Sequence, residues 1–386
     1  MATSLTPDEL LEALRLVTEY GSISEAARQI GMKRETLQTR VNKARIAMSD
    51  GTLDPDVASR VPEGYRVTGV STLFNEDGVK AQWVKTSPKA EAVQAAYEQA
   101  LTDLCDSVKG LSPPISPPNL PNRDLLTVVP MGDPHFGLLS WKPETGEDFD
   151  TAKAEAVTFN AVDTLASLTP NTGTALLLNL GDYFHADDSS NRTPRGQNAL
   201  DVDGRFDKIA SIGFRAMIRC IERLLEKHDK VIIRNNPGNH DPHQAKMLNI
   251  AVGAYFHNNQ RVTVDPSPSN FYYYQFGRVL LGSTHGDGAK LNDLPLIMAN
   301  DVPRLWADAQ FRIWHVGHFH HNQRIFQKDL VGCEVETHRT LAAGDAWHRN
   351  QGYRSLRDMK AVVYHKDFGE VNRIRCGIEM LEGVSV

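Results

Sequence analysis

Beyond Arg123 the chain repeats one pattern five times: a short run rich in apolar and β-branched residues, then a motif of glycine with aspartate, asparagine or histidine. Leu125–Val129 precedes Gly132-Asp133-Pro134-His135, and Ala175–Leu180 precedes Gly181-Asp182-Tyr183-Phe184-His185. Val231–Arg234 precedes Gly238-Asn239-His240-Asp241, and Val279–Gly282 precedes Thr284-His285-Gly286-Asp287. Arg312–Val316 precedes Gly317-His318-Phe319-His320. Helical periodicity falls between them, over about Thr151–Leu168, Arg205–Lys227 and Pro242–His257. Strand and helix in alternation mean a layered α/β domain. In such domains the carboxyl ends of strands converge on one crevice, so five loops distant in sequence should meet there.

Those loops carry a particular chemistry. Asp133, Asp182 and Asn239 offer oxygen, while His135, His285, His318 and His320 offer imidazole. All 14 histidines fall at or after His135. Mixed oxygen and nitrogen donors suit Mn²⁺ first, with Fe or Zn²⁺ as alternatives, and are too nitrogen-rich for Ca²⁺ or Mg²⁺. In an extended segment residues i and i+2 point the same way. Asp133 with His135, and His318 with His320, could each grip an ion on that basis. Seven donors exceed what one catalytic ion with an open position accepts; they suit two divalent ions sharing a carboxylate. His228, His257, His315, His321, His338, His348 and His365 read as structural or solvated. Asp241 reads as a supporting residue, Asp187 and Asp188 as a solvated loop. Arg192 and Arg195 read as surface, with substrate phosphate as the alternative.

In this order, Asp-x-His, Gly-Asp-x-x-His, Gly-Asn-His-Asp, His-Gly and Gly-His-x-His resemble the calcineurin-like metallophosphoesterase superfamily over about residues 125–320. The resemblance implies a two-sheet sandwich flanked by helices, with a di-metal centre at one edge. It implies Asp133, His135 and His320 on the first metal, Asn239, His285 and His318 on the second, and Asp182 bridging both. His240 would be the catalytic histidine, meeting the phosphate and assisting the leaving group while the metals activate water. His185, three residues after Asp182, is similar to the histidine that pairs with the catalytic one in SbcD-type DNA-repair nucleases. The Gly-Asp-x-Val-Asp-Arg-Gly of serine/threonine phosphatases is replaced here by Gly-Asp-Tyr-Phe-His-Ala-Asp.

Residues 1–50 read as three short helices. Thr6-Pro7-Asp8-Glu9 and Ser22-Ile23-Ser24-Glu25 are capping boxes, and Gly21 and Gly31 mark the turns. Lys33 to Arg45 carries a net +4 inside a segment whose net charge is zero. Residues 22–45 resemble a helix-turn-helix, which implies a DNA partner. Arg34, Thr36, Gln38, Thr39 and Arg40 would face bases, and Lys43 and Arg45 phosphates. A small bundle for protein contacts is the alternative.

Residues 51–111 read as a hairpin, Tyr65–Phe74 with Val79–Thr86, and an amphipathic helix over about Lys89–Val108. Its stripe is expected to pack on the hairpin, or to pair with a second copy in a homodimer. Residues 112–122, SPPISPPNLPN, read as a semi-rigid linker before a domain spanning 123–386. Lys360–Tyr364 and Val371–Ile378 read as closing strands.

Of the 386 residues 41% are hydrophobic and 23% charged, with a net charge of −6, which excludes disorder and coating of nucleic acid by bulk charge. No apolar run approaches a membrane span of about 18 residues. Four scattered cysteines without a CxxC pair fit a cytoplasmic protein. The expected function is two-metal phosphodiester hydrolysis on nucleic acid by a DNA nuclease with its own DNA-binding domain, of a type resembling phage and prophage enzymes. A small-molecule nucleotide phosphoesterase and a non-catalytic DNA-binding regulator are the alternatives.

Overall fold

The structure, a computed structural model, describes residues 5, 7–49, 65–75, 78–88, 90–319, 327–344, 352 and 355–381. They form two units, Met1–Asp103 and Leu104–Val386.

In the first unit, helices α1 (Pro7–Tyr20), α2 (Ile23–Gln29) and α3 (Arg34–Ser49) enclose Ala13, Ala26, Ala27, Leu37 and Val41. Ser22 caps α2 by accepting from the Glu25 backbone N–H at 3.1 Å, as the capping box requires. The first capping box rests on Thr6, which lies outside the described residues. The hairpin is present as β1 (Tyr65–Asn75) antiparallel to β2 (Gly78–Pro88); its turn residues, Glu76 and Asp77, lie outside the described residues. The amphipathic helix is present at Ala90–Val108. Of its apolar stripe, Ala96, Tyr97, Ala100 and Leu104 are exposed, while Leu101, Cys105 and Val108 are half-buried. An amphipathic pattern fixes which face is apolar, not what covers it.

The second unit holds two sheets. One has six strands in the order β13-β12-β3-β4-β5-β6, the other five in the order β10-β11-β9-β8-β7. Their ranges are β3 Asn122–Met131, β4 Thr172–Asn179, β5 His228–Asn235, β6 Val262–Val264, β7 Tyr272–Phe276, β8 Val279–Thr284, β9 Phe311–Val316, β10 Gln327–Leu330, β11 Cys333–Thr337, β12 Asp358–His365 and β13 Gly369–Gly377. Period-2 alternation sends side chains to opposite faces and builds three apolar layers. Leu126, Val128, Leu176, Leu178, Leu281, Ile313, Val362 and Tyr364 fill the layer between the sheets. Val129, Met131, Ala175 and Leu177, from alternate positions, pack under helices Thr151–Leu168 and Phe206–Leu225. Leu280, Trp314 and Val316 pack under helix Leu294–Asp301 on the outside of the five-stranded sheet. Two multi-stranded sheets flanked by helices are therefore the architecture. The proline-rich run 112–122 forms no helix or strand before Asn122, since proline cannot donate to a ladder. It is tied to the second unit, where Ser112 N–H donates to Tyr255 O and Arg261 donates to Ile115 O.

Candidate metal centre

β3, β4 and β5 are mutually parallel, as are β8 and β9, so the five motif loops leave their sheets at common edges. The loops are cross-linked by backbone bonds: His135 N–H to Asp182 O at 3.0 Å, Phe136 N–H to Tyr183 O at 2.7 Å and Leu180 N–H to Met131 O at 3.0 Å. The expectation that Asp133 and His135 share an extended segment fails. Asp133, His135, Asp182 and His318 all take the left-handed conformation, with φ of 44°, 48°, 49° and 66°. Each such residue costs about 1–3 kcal/mol and persists only where its surroundings impose it, typically at functional sites. As a result Asp133 turns toward His285, with Oδ1 3.7 Å from Nδ1, while His135 turns toward His185, with Nδ1 atoms 3.3 Å apart.

Two glycines permit the close approach. A Cβ at Gly238 would lie 2.0 Å from Asp182 Oδ1, and one at Gly317 would lie 2.7 Å from Asp133 Oδ1. Asp241 staples the centre from beneath: Oδ1 accepts from the Asp182 and Gly238 N–H groups, and Oδ2 from Phe184 N–H. Its burial, then the Asp182 charge, push its carboxyl above the usual range.

Two sets of side chains bring ligand atoms within 4.8 Å of one another: Asp182 with His285 and His318, and His135 with His185 and His240. His285 is the informative member. Nδ1 is 2.9 Å from Leu180 O, and Nε2 is 3.0 Å from Asn239 Oδ1 and 3.2 Å from Asp182 Oδ2. With its Nδ1 proton given to the carbonyl, the ring presents Nε2 to two oxygens, the orientation metal-binding histidines take. With Asn239 Oδ1 and Asp182 Oδ2 both turned to Nε2, a cation among the three atoms would satisfy them together. The donors fit a divalent ion. In metal-free protein a proton serves: burial pushes the imidazole down, but the charge and hydrogen bond of Asp182, with Asp133, raise it to about 10. Asp182 is held well below the carboxylate range, against burial, by His285 and then by His240 and His135.

Metal binding must then expel that proton. Each ion bound at His285 should release about one proton at neutral to mildly alkaline pH, and affinity should rise with pH up to about 10. Calorimetric titration with Mn²⁺ in two buffers of different ionisation enthalpy should give heats differing by one proton's ionisation. Equal heats would contradict this reading.

His240 lies beside these groups. Its N–H donates to Asp182 Oδ1 at 2.8 Å, its Nδ1 is 2.8 Å from His185 O, and its ring stacks on His185 at 5.3 Å. Of the expected ligands, Asp133, His135, Asp182, Asn239, His285 and His318 lie among these loops; His320 is outside the described residues.

No family model matches the chain, and no curated protein matches it. Among solved structures, it is similar to a conserved uncharacterized protein, a predicted phosphoesterase, from Streptococcus pneumoniae TIGR4. That likeness has a TM-score of 0.26 and 11% identity, and covers 66% of this chain and 98% of the other. So weak a superposition supports no conclusion about this chain.

Sequence reading missed two features here. Asp187, expected in a solvated loop, is buried and accepts from the backbone N–H groups of His243 and Gln244, both at 2.9 Å. His315, Glu336 and His338 form a third set of closely spaced ligand atoms, between the sheets. Lys360 Nζ is 2.8 Å from Glu336 Oε1, and Arg373 Nη1 is 2.5 Å from the same atom. Two side-chain cations already neutralise that carboxylate, so this cluster has no need of a metal ion. Burial pushes His315 down to about 4 and His338 well below its usual range, which leaves both neutral at pH 7.

The nucleic-acid candidates on α3 do not form one face. At 3.6 residues per turn, Thr36, Thr39 and Lys43 point away from buried Leu37, Val41 and Ala44, while Arg34, Gln38 and Arg45 share one flank. Arg40 lies on the other flank, half-buried, with Nη2 3.8 Å from Glu9 of α1. Thr39 Oγ1 donates to Glu35 O at 2.9 Å, and Gln38 donates to Asn42 at 3.0 Å.

Proposed function

We propose that the second unit is a two-metal phosphodiesterase acting on nucleic acid, a DNA nuclease directed by the three N-terminal helices. The observation that carries this is the convergence of His285 Nε2 on Asn239 and Asp182, with His240 bonded to the same Asp182. Asp133, His135, Asp182, Asn239, His285, His318 and His320 would hold two divalent ions, with Mn²⁺ the first candidate. When bound, these ions would activate water and neutralise phosphoryl oxygens. His240, with Nδ1 on the His185 carbonyl, leaves Nε2 as the atom to meet the phosphate or to donate a proton to the leaving oxygen. His185 fixes that ring by stacking and by its carbonyl.

The helix-turn-helix reading retains Thr36, Thr39 and Lys43 on the side of α3 away from the core, with Arg34 and Arg45 exposed on one flank. Arg40, engaged with Glu9, is a weaker base-reading candidate than the sequence alone implies. The exposed stripe of helix Ala90–Val108 is where a second copy would pair, as a reader of two half-sites needs. No helix among the described residues is long and apolar enough to cross a membrane.

The test offers the protein, with Mn²⁺, plasmid, linear and single-stranded DNA beside bis-(p-nitrophenyl) phosphate, p-nitrophenyl phosphate and cyclic nucleotides. Cleavage of DNA and of the diester is expected. DNA affinity should fall steeply with salt, log Kd against log salt having a slope near the number of phosphates contacted. Turnover of the monoester alone, or DNA affinity indifferent to salt, would overturn the reading.

A further inference from the structure

His243 has no part in the site as described so far. Its side chain is 73% exposed, yet its Nδ1 is 2.5 Å from Oδ2 of Asp187, a carboxylate 5% exposed. The other oxygen of Asp187 accepts the N–H groups of His243 and Gln244 at the start of helix Gln244–Tyr255. A carboxylate from another loop thus serves that helix end, where a residue just before the helix ordinarily would. It also holds an exposed ring in one orientation. Fixing an exposed side chain costs rotamer entropy, so the orientation needs a reason.

The position supplies one. The bond between His240 Nδ1 and the His185 carbonyl links the same two loops as the bond between His243 and Asp187. Asp187 follows His185 by two residues and His243 follows His240 by three, so the two pairs are adjacent rungs. Three peptide steps limit the Cα separation of His240 and His243 to about 11 Å. Successive phosphates along a nucleic-acid strand are spaced by a shorter distance than that. With Nδ1 on Asp187, the ring presents Nε2 outward.

We infer that His243, oriented by Asp187, is a substrate-contacting residue that binds a phosphate flanking the scissile one on a nucleic-acid strand. This rests on the proposed function of the neighbouring centre. The ring would lie between the buried carboxylate and the flanking phosphate, with Nδ1 toward the first and Nε2 toward the second. A small diester has no flanking phosphate and would not use it.

Steady-state kinetics on an oligonucleotide and on bis-(p-nitrophenyl) phosphate, both with Mn²⁺, test this. His243→Ala should raise KM for the oligonucleotide about tenfold with kcat unchanged, and leave both constants for the small diester unaltered. His243→Arg, which places N–H donors at the same position, should restore KM. Asp187→Asn, which retains a good helix cap, should raise KM in the same way without lowering the melting temperature. An unchanged oligonucleotide KM in His243→Ala, or an equal loss on both substrates, would overturn the inference while leaving the proposed function standing. Absence of turnover by the unaltered protein on both substrates would overturn the two together.

Discussion

Asp182→Asn should lower metal-dependent diester hydrolysis by at least about 10³-fold while the protein stays folded. The substitution is isosteric, and asparagine tolerates the left-handed φ of 49° at this position. Its amide oxygen can still accept the His240 N–H that now reaches Asp182 Oδ1 at 2.8 Å. What it loses is charge. Asp182 faces His285 Nε2 at 3.2 Å and is the one carboxylate expected to serve both ions. A bound metal contributes several kcal/mol to transition-state stabilisation, and about 1.4 kcal/mol corresponds to tenfold in rate. The measurement is kcat/KM on bis-(p-nitrophenyl) phosphate with saturating Mn²⁺, alongside thermal unfolding. Turnover within tenfold of the unaltered protein would remove Asp182 from the account.

Gly238→Ala is expected to be the most damaging single methyl group in the second unit. Its Cβ would lie 2.0 Å from Asp182 Oδ1 and 2.2 Å from Asp182 N. Neither side can yield, because both backbone N–H groups are fixed on Asp241 Oδ1, at 3.0 Å from Gly238 and 3.1 Å from Asp182. Overpacking of this kind costs about 1–3 kcal/mol, and a displacement near 1 Å at a reacting centre costs about 10²-fold. A lowered melting temperature together with loss of turnover is the expected outcome. Gly253→Ala is the control, since its Cβ would meet nothing within 4 Å and alanine favours its helix. Equal effects from the two substitutions would show that the crowding at Gly238 has no special importance.

Much of this was legible in the sequence because it is local. Each apolar run with its glycine-bearing motif is contiguous, and the five runs correspond to β3, β4, β5, β8 and β9. Helix Thr151–Leu168 has the expected bounds, set by Asp150 as its cap. What escaped depends on contacts across the chain. Asp187 and His243 are 56 residues apart, and nothing in either loop announces the other. His315, Glu336 and His338 take their meaning from Lys360 and Arg373 on the opposite sheet. β6 is a three-residue strand, too short to stand out as a run, while the aromatic run of β7 is only half-buried. The extended geometry expected of Asp133 and His135 failed for another reason. Residue spacing constrains side-chain direction only when the backbone conformation is known, and both residues are left-handed.

The central claim is that these loops hold metal ions and that those ions are required for phosphodiester cleavage. The most direct test follows turnover of bis-(p-nitrophenyl) phosphate as chelator-stripped protein is titrated with Mn²⁺, with bound metal counted in the same samples. Activity should be absent without metal and should saturate at two ions per chain. Undiminished turnover in excess chelator, or full activity with no metal bound, would contradict it.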